Sequence, residues 1–237
     1  MNTSKTCLSM RPHGALPCPA AALLPLLLAL LVLLTACASA PAPDWQSNAK
    51  ASAERAIAAW LRGDVRVEAA EFARARSEIA RSARPDLLAR LELLRCASRV
   101  AALEFEPCQG FEALLADAAA PEQAYARYLA GLARPGDAAL LPPAQRRLLG
   151  AAGDAPTLAA LAAIDDPLAR LVGAGVLLRR GQATPELLDL AVQTASQQGW
   201  RRPLLAWLRV QQQHAQAGAA TEEAARIGRR IELLLQR

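Results

Sequence analysis

The segment Asp166–Gly181, DPLARLVGAGVLLRRG, carries helix punctuation from end to end. Asp166 can accept a free backbone N–H of the first turn, and Pro167 suits the first helical position, where its missing N–H is not needed. Arg179 and Arg180 fall in the last turn, at the negative end of the helix dipole, and Gly181 can turn left-handed beyond it. The pattern recurs: Thr184-Pro185 opens another helix, Pro203 a third, and Thr221-Glu222-Glu223 a last one. No stretch of more than a few residues alternates apolar and polar in the manner of a strand, and β-branched residues are scarce. The expected fold is therefore all-α, an array of about ten or eleven short helices with short loops and several antiparallel pairs.

Periodicity suggests which faces are buried. Over residues 64 to 82, Val65, Ala69, Phe72, Arg76 and Ile79 fall on one stripe, with the aliphatic stem of Arg76 at its edge. From Asp86 to Leu103 the pattern is apolar over more than half the circumference, and the charged stripe is Glu92, Arg95 and Arg99. That helix is expected to lie between neighbours.

Two hairpins look related. GDVRVEAAEFARA from Gly63 and GAATEEAARIGRR from Gly218 share a Gly, an Ala-Ala pair and a large apolar residue at matching offsets. In the second, Trp207, Val210, His214, Gly218 and Ile227 stand at the spacing of a tetratricopeptide repeat, and this part of the chain resembles that family. Glu223 and Arg230 occupy positions where the family has small residues, and no repeat period runs through the middle of the chain. The resemblance implies stacked helix pairs, up to a right-handed solenoid.

From Ala20 to Ala36 the chain carries no charge, behind Lys5 and Arg11. At about 17 residues, with Pro25 inside, the run is short for a spanning helix and has the layout of a secretory signal. It ends in Leu34-Thr35-Ala36-Cys37, which resembles the lipobox of bacterial lipoproteins. The resemblance implies cleavage before Cys37 and acylation of that residue. A thiolate is the nucleophile suited to a lipid donor, and two or three acyl chains anchor stably where one is marginal. Ala38 follows, where an Asp would by family rule hold the product at the inner membrane, so the implied location is the outer membrane, facing the periplasm. The expected organisation is a signal over 1–36, a lipidated Cys and Ala/Pro-rich tether over 37–48, and one helical domain over 49–237.

Removing the signal takes Lys5 and Arg11 and no acid, so the charge becomes 25 − 22 = +3. Arginine far outnumbers the two lysines, as GC-rich codons alone would produce, and no basic run is interleaved with aromatics. A nucleic-acid partner is not expected. Of the five cysteines, Cys7 and Cys18 leave with the signal and Cys37 takes lipid. Cys96 and Cys108 remain as an even pair in an oxidising compartment, and a disulfide across a short helical reversal is expected.

Candidate chemistry is sparse. His214 is the only histidine after the signal, which removes any two-histidine metal site, and in the repeat it would sit at the core edge. Ser47 and Lys50 match the S-x-x-K of penicillin-recognising enzymes, but no Lys-Thr-Gly can follow, since Lys50 is the last lysine. Gly173 and Gly175 lack the third glycine of a dinucleotide fingerprint and suit close helix packing. Glu104 and Glu106 are a carboxylate pair that could serve a peptidoglycan hydrolase. The preferred expectation is a non-enzymatic scaffold or adaptor, without cofactor or metal, that binds an envelope protein or peptide. Trp200, Arg201 and Arg202, in the turn before Pro203, are the candidate contact residues, and Trp207 is expected in the core.

Overall fold

The computed structural model describes residues 43–236; the expected signal and Cys37 lie outside them. Every regular element among the described residues is helical. Eleven α-helices run as α1 (Asp44–Arg62), α2 (Val65–Ala80), α3 (Pro85–Ala101), α4 (Gln109–Glu112), α5 (Ala120–Leu129), α6 (Pro143–Gly150), α7 (Asp154–Ala162), α8 (Pro167–Arg179), α9 (Pro185–Gln197), α10 (Arg201–Ala217) and α11 (Thr221–Leu235). A 3-10 turn over Pro135–Leu140 separates α5 from α6. None of these helices is long and apolar enough to cross a membrane.

Local signals fix several ends. The Asp166 carboxylate accepts from the Ala169 amide at 2.6 Å, the Thr184 hydroxyl from Leu187 at 3.3 Å, and Asp64 from Val67 at 3.0 Å. Two boundaries differ from expectation. The tether was expected to reach residue 48, yet α1 already begins at Asp44, whose charge sits in the first turn, favourable to the helix dipole. At the other end of the chain α10 begins at Arg201, so Pro203 lies inside its first turn rather than opening it; a proline is tolerated there because the first amides have no intrahelical acceptor.

The chain is organised around α3 and α8. Helix α3 contacts α1, α2, α5 and α8, as its broad apolar face requires. Gly175 lets α8 approach α3 so closely that a methyl there would lie 2.5 Å from the Val100 carbonyl oxygen. Gly173, facing elsewhere on the same helix, has Leu148 of α6 and Leu161 of α7 at 2.8 and 3.0 Å from the same hypothetical atom. The two glycines therefore serve close packing on two sides of one buried helix. Trp207, fully buried, donates its indole N–H to the Ala101 carbonyl at 3.0 Å and closes the C-terminal end of α3 against α10. A solenoid confines contacts to adjacent repeats. Here α3 packs on α8 and α1 on α10, so the described helices close around a centre.

The related hairpins are both present, α1/α2 and α10/α11. They turn differently: Gly63 itself is left-handed, whereas in the second hairpin Gly218 is not and Ala219 takes φ of +56°. His214 is exposed on α10, not at the core edge, although Trp207 and Ile227 of the same repeat pattern are fully buried.

Candidate binding groove

Along α3, the charged stripe of Glu92, Arg95 and Arg99 turns toward neighbouring helices. Glu92 is buried and pairs with Arg76 of α2. Glu68 of α2, only 2% exposed, receives the Arg95 Nε at 2.8 Å, while the Arg95 guanidinium lies 4.3 Å from the centre of the Phe72 ring. This corrects the expected buried stripe of α2. The buried set is Glu68, Phe72, Ala75 and Ile79, and Val65 and Ala69 face solvent. Arg95 of the next helix neutralises Glu68 and so draws it in.

Between these charges and α5 runs a groove of about 1120 Å³. Its apolar surface includes Phe72, Phe105, Phe111 and Leu129, and two of its residues, Leu115 and Leu132, are 48% and 70% exposed. Cys96 on α3 and Cys108, the residue before α4, both border it and are bonded, with Cα atoms 5.9 Å apart. The chain reverses at Leu103, whose φ is +62°, and the Glu104 amide returns to the Arg99 carbonyl at 2.9 Å. Gly110 then lies directly against the Glu92 carboxylate, where a methyl group would overlap it. Closing so short a loop stabilises by about 3 kcal/mol. Non-reducing peptide mapping should recover Cys96 linked to Cys108, and reduction should lower the unfolding free energy by about that amount.

On the α5 side, Asp137 is buried and chelated by Arg127 through Nε at 2.9 Å and Nη2 at 2.5 Å, and by the Arg134 amide at 2.8 Å. The Arg127 hydrogen bond, seconded by that amide, holds the Asp137 carboxyl at about 2. The pair ties the groove wall to the 3-10 turn. No local sequence pattern marks this pair, because only the fold brings its residues together.

No protein-family model, curated protein or solved structure matches this chain.

The expected contact residues have mostly internal duties. Arg202 stacks on Trp60 of α1 at 3.7 Å, donates Nε to the Trp60 carbonyl at 3.1 Å and pairs with Glu104 at 3.2 Å. Arg99 lies 4.4 Å from the centre of the same ring and 3.9 Å from the other Glu104 oxygen. Trp200 packs on the cluster of Ile57, Trp60 and Leu61. Arg201, at the first position of α10, is half-exposed and outside the groove. The proposed contact turn is thus a seam between the first and last parts of the fold. Glu104 and Glu106 both border the groove, but Glu104 is engaged in the seam and Glu106 is exposed. Ser47 and Lys50 lie on α1, with Ser47 bonded to the Asp44 carbonyl at 3.1 Å and Lys50 3.9 Å from Glu54. Leu115 and Leu132, which form exposed parts of the groove, are not singled out in the sequence, and Arg179 stands out there only as a C-terminal helix charge. Isolated leucines between helices look like loop residues there.

Proposed function

We propose that the protein is an outer-membrane lipoprotein whose helical domain faces the periplasm and acts as a non-enzymatic scaffold or adaptor, holding a protein or peptide of the envelope. The observation that carries this reading is the open groove beside α3, with apolar surface left exposed at Leu115 and Leu132 on a frame of packed helices. Exposed apolar surface bordered by charge is characteristic of a contact site. The Leu34-Thr35-Ala36-Cys37 motif supports the location. Anchoring through Cys37 would confine the groove to a surface and raise its effective concentration toward a partner held there. No metal or cofactor enters this reading.

Two measurements test it. Mass spectrometry of the N-terminal peptide should find acyl chains on Cys37, and Cys37→Ala should leave the unprocessed, unacylated chain. An unmodified wild-type chain starting at Met1 or Met10 would sink the lipoprotein assignment. Crosslinking in intact envelopes followed by affinity capture should recover a specific protein with the wild-type chain; repeated capture of nothing would remove the scaffold.

A further inference from the structure

We propose that the groove takes a peptide segment that joins an apolar side chain to an acidic one, with the apolar anchor against Leu132 and Phe105 and the carboxylate on Arg179. The inference rests on the scaffold reading and names the chemistry of its partner. Five arginines border the groove. Arg76, Arg95, Arg99 and Arg127 each have a carboxylate of this chain within 4 Å. Arg179 has none among the described residues, and neither does its neighbour Arg180.

The Arg179 guanidinium is nevertheless held in place. It lies 5.3 Å from the centre of the Phe105 ring, and its Nη1 donates to the Leu129 carbonyl at 3.5 Å. The stems of Arg179 and Arg180 pack beside Gly131, where their nearest carbons lie 3.8 and 3.3 Å from the position of an added Cβ. The next residue is Leu132, 70% exposed. A fixed, un-neutralised guanidinium beside an uncovered leucine is complementary to a carboxylate next to an apolar side chain. Glu106 and Glu112 also border the groove, and neither has a basic partner among the described residues. They disfavour an acidic residue near themselves, and so give the bound segment a direction. Ion pairs along the groove suit a peptide backbone with mixed side chains better than an acyl chain, which needs an enclosed apolar cavity.

The test uses a phage library of random dodecapeptides selected on the immobilised full-length chain in detergent, and in parallel on Arg179→Glu and Leu132→Glu. Leu132→Glu alters an exposed side chain and should melt as the wild type does; Arg179→Glu gives up the contact with Phe105 and puts an acid at the negative end of α8, so it should melt somewhat lower but stay folded at the selection temperature, which circular dichroism checks. Selection on the wild type should enrich Leu, Ile or Phe within a few positions of Asp or Glu. A fluorescein-labelled consensus peptide should bind in polarisation assays, weaken with salt, and lose affinity about tenfold or more on either variant. Arg179→Lys should recover part of the loss. The proposal is overturned by enrichment equal on wild type and variants, by a basic or purely apolar consensus, or by binding to phosphatidylglycerol vesicles in place of peptides. In the envelope capture, a partner retained equally by wild type and both variants would sink the groove and leave the scaffold standing. Capture of no partner by the wild type would remove both.

Discussion

Trp207→Ala should lower the unfolding free energy by about 3–5 kcal/mol, the range for truncating a buried aromatic in a well-packed core. Trp207 is fully buried, and its loss removes both apolar contact and a hydrogen bond. The bond has a particular function. Ala101 is the last residue of α3, so its carbonyl has no intrahelical donor, and it is fully buried where water cannot replace one. Trp207→Phe isolates that part. Most of the apolar surface stays, but the Ala101 oxygen is left without its indole, at about 1–3 kcal/mol. Urea titrations followed by far-ultraviolet circular dichroism measure both. If Trp207→Phe were as stable as the wild type, the indole bond would not be what closes the end of α3.

The second large effect is at Gly175. Alanine is the better helix former by about 1 kcal/mol, so on propensity alone Gly175→Ala should stabilise α8. The added methyl would instead lie 2.5 Å from the Val100 carbonyl oxygen and 3.0 Å from Val100 Cγ1. The oxygen belongs to the backbone of α3 and cannot turn aside, so overpacking wins, with a net loss of about 1–3 kcal/mol. Gly175→Val should be worse. Gly228→Ala is the control: the only atom close to its added methyl is the Gln212 amide nitrogen at 3.0 Å, the end of a flexible side chain. That substitution should be neutral or stabilising. Equal responses at the two positions would mean that helix propensity, not the approach of α8 to α3, determines the outcome.

Residues that act on their own backbone were readable in the sequence. Asp166, Thr184 and the glycines of α8 do their work within a few positions or through their own lack of volume, and a local pattern is enough to find them. Glu68 and Glu92 were not readable as buried, because burial depends on Arg95 and Arg76, which lie 27 and 16 positions away. The internal partners of Arg202 are hidden from the sequence for the same reason. Hydropathy marks it as a surface cation, yet its surroundings come from Trp60, 142 positions earlier. The groove is a further step removed, being space left over when α2, α3 and α5 have each satisfied other contacts. No single segment encodes it.

The seam at Trp60 also bears on the order of events in making the molecule. Its closing hydrogen bonds join residues 142 and 106 positions apart, Arg202 to Trp60 and Trp207 to Ala101. Contacts at such separations carry a large loop-closure cost and form late. A chain that ends before α10 leaves the Ala101 carbonyl without its donor and Trp60 without the guanidinium of Arg202. The nascent chain therefore cannot close this seam until α10, which begins at Arg201, has been made, and lengthening the loop before α10 should slow that closure more than lengthening the one after it.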